Sequence, residues 1–157
     1  MSDKKKAASS RVQNVRQVGI RMTKGENKLA EQIRAALSTP DAEVTMSLLF
    51  TTAGIDEAAT LGITASTLDS RLRTETGLWK NKPERSYSSI ETDQKPITIT
   101  IHPLYLEIIN VSANWCQVKT PTYLWGSLMA FTRRRKVADP HNAALQRIEL
   151  PEQYEPR

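Results

Sequence analysis

Apolar and polar positions first fall into order at residues 16–22, "RQVGIRM". Val18, Ile20 and Met22 alternate there with Gln17, Gly19 and Arg21, the period of a half-buried strand. The period then changes. In "GENKLAEQIRAAL", Leu29, Ile33 and Leu37 lie four apart, which predicts a helix with one buried face that Pro40 ends. "AEVTMSLLFTTAG" predicts a second helix closing near Gly54, although its β-branched residues leave a strand open. In "DEAATLGITASTLDSRLRTETG", residues 56–77, Ala58 and Ala59 belong to a short helix, Gly62 takes a turn, and Thr64 caps a further helix from Ala65 to Arg73. Leu61 and Ile63 pack at the junction. Leu68 and Leu72 face the first helix, leaving Ala65, Ser66, Asp69, Ser70 and Arg73 outward.

The second half begins after "KNKPERSYSSIETDQKP", residues 80–96, whose two prolines and polar residues predict a long surface loop. "ITITI" alternates strictly, and "YLEIINVS" and "WCQVK" are expected to be further strands. "PTYLWGSLMAFTRRRK" opens on proline and ends in cations, as helices prefer. The tail holds one short helical stretch before dissolving into proline and charge. The expected fold is α+β: a helical N-terminal half with a helix-turn-helix-like element, and a strand-rich C-terminal half with one amphipathic helix. The chain divides into a mobile basic arm (1–14), a helical region (15–79), a loop (80–96), strands plus helix (97–137) and a polar tail (138–157).

Composition narrows the function. At 157 residues, 39% hydrophobic and 25% charged, the chain is long enough to bury a core and ordinary for a folded protein. A single cysteine, Cys116, excludes an internal disulfide, and His102 and His141 offer no zinc spacing. No metal or cofactor is expected. There is no apolar run of the roughly 20 residues a membrane span needs, nor an apolar leader at the start, so the expected location is the cytoplasm with no membrane partner. The net charge is +5. Residues 1–34 hold nine basic groups against three acidic ones, an excess larger than that of the whole chain. Between Ser38 and Ser70 there is no lysine or arginine, while Asp41, Glu43, Asp56, Glu57 and Asp69 are acidic. A second basic cluster, "RRRK", spans Arg133 to Lys136.

These clusters point to a polyanion partner. Catalysis has no support in the residues: there is no glycine-rich phosphate loop, no cysteine–histidine pair and no distinguished pair of carboxylates. His102, beside Pro103, reads as a turn or core residue. Trp115, Tyr123 and Trp125 read as core, with a stacking platform beside Arg133 to Lys136 as the other role for them.

Glu57, Ala58, Ala59, Leu61, Gly62, Thr67, Leu68, Arg71 and Leu72 follow a pattern that resembles the helix-turn-helix of the factor-for-inversion-stimulation type, carried also by nitrogen-regulatory response regulators. The match covers residues 56–73. It has one residue fewer between the paired alanines and Leu-Gly, and it places Ala65 and Asp69 on a helix that is basic in that family. The resemblance implies that Ser66 and Ser70 meet base edges and Arg73 a phosphate. Residues 16–53 more weakly resemble ribbon-helix-helix proteins, in which strands of two chains pair and enter the major groove. That would turn Gln17, Gly19 and Arg21 toward the bases, although "STPDAE" lacks the glycine-centred turn usual there.

The expected function is therefore a non-enzymatic nucleic-acid-binding protein, a DNA-binding regulator or accessory factor forming a homo-oligomer, with DNA favoured over RNA. Its expected contacts are Lys4, Lys5, Lys6, Arg11, Arg16, Arg21, Ser66, Ser70, Arg73, Arg133, Arg134, Arg135 and Lys136. The alternative is a coat- or nucleocapsid-like assembly subunit whose arm binds nucleic acid without reading sequence.

Overall fold

The computed structural model describes residues 16–65 and 95–151. In order they form β1 (Arg16–Met22), α1 (Lys24–Leu37), α2 (Met46–Thr60), β2 (Lys95–Ile101), α3 (Pro103–Trp115), α4 (Thr120–Ala138) and the short α5 (Ala143–Gln146). The strand and first helix fall where their periods place them. Thr23 starts α1 with a capping box: its hydroxyl accepts from the Glu26 N–H at 3.1 Å, and the Glu26 carboxylate accepts from the Thr23 N–H at 2.9 Å. Two N–H groups that a helix start leaves unbonded are thereby satisfied.

The second helix is longer than its sequence pattern suggests. Thr45 caps it by accepting from the Leu48 N–H at 3.1 Å, and it runs without a break through Gly54 to Thr60. Gly54 marks a close approach between helices and not a helix end. A Cβ built there would lie 3.0 Å from Leu124 Cδ2 and 3.1 Å from Ile109 Cδ1, so the missing side chain lets α3 and α4 pack against α2. Ala58 and Ala59 accordingly sit in the last turn of this helix and not in a separate one. The true end lies at Gly62, whose φ is +77°. The Ile63 N–H donates to the Ala58 carbonyl at 2.8 Å and the Gly62 N–H to that of Ala59 at 3.0 Å. This is a Schellman closure, and buried Ile63 packs on Ala58 across it.

The expected strand-rich C-terminal half is not observed, and with it the α+β assignment fails. Among the described residues the protein is mostly helical, with one two-stranded antiparallel sheet, β1 against β2. "YLEIINVS" and the start of "WCQVK" form α3. Pro103 occupies its first turn and the His102 Nδ1 accepts from the Leu104 N–H at 3.2 Å, a start signal that outweighs the β preference of Ile108, Ile109 and Val111. Those residues are buried on two sides at once. Ile109 and Ala113 enter the main core, while Ile108 and Val111 join Ala58 and Ile63 in a smaller cluster.

The helix expected to be amphipathic, α4, is instead the central one. Eight consecutive residues, Tyr123 to Ala130, are buried, as for a helix surrounded on all sides. The core around it draws on β1, α1 and α2 as well as β2 and α3, so elements from both sides of residues 80–96 share it.

Candidate nucleic-acid interface

The two strands pair over their full length, with Arg16 opposite Ile101, Gly19 opposite Thr98 and Met22 opposite Lys95. Pleating then sorts the side chains. Ile20, Met22, Ile99 and Ile101 are buried against the helices. Gln17, Gly19, Arg21, Thr98 and Thr100 are exposed on the other face, and Arg16, in register with the helix-facing set, is exposed at the end of the strand. Neither strand contains a carboxylate. The Ser47 hydroxyl accepts from the Thr100 N–H at 2.9 Å, which ties the ribbon to the start of α2 while its outer face remains in solvent. The strand pairing implied between two chains by the ribbon-helix-helix resemblance is made within one chain, β1 with β2.

The cluster from Arg133 to Lys136 is placed differently. The guanidinium of Arg133 donates to the Pro151 carbonyl. Arg134 donates to the Asp56 carboxylate at 2.7 and 3.0 Å and to Glu57 Oε1 at 3.0 Å. Lys136 Nζ donates to the Ile148 carbonyl at 2.7 Å. Arg135 alone of the four is exposed, beside Leu48 and Phe131. Three cations of the run thus bind the fold to itself: the last turns of α4 are held to α2 through Arg134 and to residues 148–151 through Arg133 and Lys136.

Arg134 answers a specific need. Glu57 is 0% exposed, and a lone carboxylate in that position would be strongly destabilising. Its Oε1 also accepts from the Thr60 hydroxyl at 3.2 Å, and its Oε2 has no hydrogen-bond partner among the described residues. Burial pulls the Arg134 guanidinium down in pKa, but the hydrogen bonds and charges of Asp56 and Glu57 outweigh that and leave it raised. Tyr123 lies nearby. Its hydroxyl donates to the Gly54 carbonyl at 2.8 Å, and burial drives its pKa well above the ordinary phenol value, with Glu57 adding to the rise.

The stacking platform considered for Trp115, Tyr123 and Trp125 is not at the surface. Tyr123 and Trp125 are buried, and Trp115 is half-buried against the Ile63 cluster. Of the helix-turn-helix reading, the turn at Gly62 and the buried Ile63 are present. Ser66, Ser70 and Arg73 lie outside the described residues, as do Lys4, Lys5, Lys6 and Arg11. Sequence reasoning missed Thr98 and Thr100, although the alternation of "ITITI" already put the threonines on one face; their registration beside Gly19 and Gln17 needed the pairing. It also missed the exposed rings of His102 and Tyr105, whose centroids are 5.7 Å apart.

Among the described residues no group of histidine, cysteine or carboxylate side chains is arranged to hold a metal ion, and no helix is long and apolar enough to cross a membrane. Comparison with protein-family models, curated proteins and solved structures gives no significant match.

Proposed function

We propose that this chain is a nucleic-acid-binding protein, a DNA-binding accessory factor or regulator, whose interface is the outer face of the β1–β2 ribbon together with the basic segment that leads into it. The observation that carries the reading is the ribbon itself. A two-stranded antiparallel ribbon has the dimensions to enter a major groove, and this one presents Gln17, Arg21, Thr98 and Thr100 outward with no acidic residue in either strand. Guanidinium, amide and hydroxyl groups are the donors and acceptors that read base edges and phosphates. Lys4, Lys5, Lys6 and Arg11 precede the first strand in sequence and extend its charge. Arg133, Arg134 and Lys136 are left out of this interface because each donates to an acceptor within the fold.

Fluorescence anisotropy against a random 20-base-pair duplex, titrated across salt, tests the proposal. Removing a cation that neutralises one phosphate flattens the plot of log affinity against log salt by about 0.9. Deleting residues 1–14 and, separately, Arg21→Ala should both flatten it, and Arg133→Ala should not. Absence of duplex binding by the intact protein at low salt, or slopes unchanged in both variants, sinks the reading.

A further inference from the structure

We infer that the outer edge of β1 is a docking edge for β1 of a second copy, the two strands running antiparallel about a two-fold axis at Gly19. Residues of an antiparallel pair alternate between those whose N–H and C=O both face the other strand and those whose groups both face away. The Thr100 N–H donates to the Ser47 hydroxyl and so faces away from β1. The same then holds for Gln17 opposite it, and by alternation for Gly19 with Thr98 and Arg21 with Pro96. Pro96, which has no N–H, fits such a position. The two edges of the ribbon therefore differ. On β2 the Thr100 donor is taken and Pro96 supplies none, which is how edge strands are kept from pairing further. On β1, Gln17 and Gly19 turn their N–H and C=O groups to a side on which the sheet has no further strand. Both residues are exposed, and the exposure of a glycine is exposure of its backbone.

The strand that fits this edge is β1 itself. An incoming strand needs a donor at each facing position and no cation opposite Arg21. About a two-fold at Gly19, β1 of a second copy sets Gly19 opposite Gly19, where both bonds of the pair are exchanged, and Gln17 opposite Arg21, an amide against a guanidinium. Nothing within the chain calls for glycine at this position. Its φ is not positive and a Cβ there would meet nothing within 4 Å, yet glycine weakens a strand interior and marks places where another backbone comes close. β2 cannot stand in for β1, because of Pro96 and the bond to Ser47, so pairing closes at two copies instead of running on into a filament. The resulting sheet has the order β2-β1-β1-β2 and spans roughly 14 Å between its outer strands, wider than a major groove of about 12 Å. Pairing and groove entry thus exclude each other. That consequence, unlike the edge pairing, rests on the ribbon being a DNA interface.

Sedimentation equilibrium of the full chain from micromolar to millimolar concentration, in salt that screens the cations of both strands, measures the association. Wild type should pass from monomer to dimer. Gly19→Pro removes an edge donor without touching the ladder to β2, as Pro96 does on the other strand, and should weaken the dimer about tenfold. Thr98→Pro, the same change on the opposite edge, should dimerise like wild type. Circular dichroism checks both folds. Amide hydrogen exchange of wild type reads the same edge without a substitution: the Gln17 and Gly19 amides should exchange more slowly as concentration rises, and the Thr98 amide should not. Wild type that stays monomeric, a folded Gly19→Pro that dimerises like wild type, or dimerisation with no slowing at Gln17 and Gly19 overturns the inference. Adding random duplex should release monomers onto the DNA. A dimer that persists on the duplex, or one that binds none, leaves edge pairing standing and refutes groove entry by the ribbon.

Discussion

Replacing Arg134 with alanine separates a basic run that grips nucleic acid from one that holds the fold together. The guanidinium satisfies two carboxylates of different standing. Asp56 is 43% exposed and Arg134 itself 39%, so their pair behaves much as a surface ion pair, contributing at most about 1 kcal/mol. Glu57 is 0% exposed, and removing the partner of a buried charge costs about 3–5 kcal/mol. Water reaching the vacated side brings the expected loss toward the lower end, about 3 kcal/mol. For a chain of this size that lowers Tm by about 6–12 °C.

Urea unfolding of Arg134→Ala, Glu57→Gln and the double variant measures it. The double variant should recover at least about 1 kcal/mol relative to additive losses, because neutral glutamine no longer leaves a charge buried. Below the unfolding temperature, Arg134→Ala should keep wild-type salt dependence for DNA. A stability loss under about 1 kcal/mol, or an Asp56→Asn variant as damaging as Arg134→Ala, would refute the buried-carboxylate argument. A flattened salt slope in a fully folded Arg134→Ala would return Arg134 to the interface.

What the sequence disclosed divides along a physical line. Local signals were readable: the period-two alternation of Val18, Ile20 and Met22, the four-residue spacing of Leu29, Ile33 and Leu37, and the glycine turn at Gly62 are decided within a few residues of chain. Signals that depend on distant partners were misread. Gly54 looks like a helix end until Ile109 and Leu124 are seen against it. The apolar run Ile108 to Ala113 has no clean period because α3 is buried on two sides, and such a run does not distinguish a strand from a core helix. The cations from Arg133 to Lys136 look like a solvated patch for the same reason. Their acceptors, Asp56, Glu57, Ile148 and Pro151, lie 12 to 78 residues away. Of the interface, Arg16, Gln17 and Arg21 were legible from β1 alone, whereas Thr98 and Thr100 became neighbours of that strand only through β2.

Two further predictions concern the same helix junction. Tyr123 is buried and its pKa is raised from the ordinary value of 10.0, so the folded protein keeps a proton that the unfolded chain loses. Its stabilising effect is complete below pH 10 and declines above it by up to about 1.4 kcal/mol per pH unit. Tyr123→Phe should remove that alkaline slope in urea unfolding while costing about 1 kcal/mol at neutral pH for the lost bond to Gly54; an unchanged slope counts against the phenol as its source. Gly54→Ala sets two effects of opposite sign against each other. Alanine is favoured over glycine in a helix by about 1 kcal/mol, but its Cβ would press on Leu124 and Ile109, both 0% exposed, where overpacking costs about 1–3 kcal/mol. Neither neighbour has solvent to move into, and the Gly54 carbonyl is also fixed by Tyr123, so crowding should win and the variant should lose about 1 kcal/mol. A Gly54→Ala protein more stable than wild type would mean that α2, α3 and α4 separate easily, and that Gly54 is not what sets their spacing.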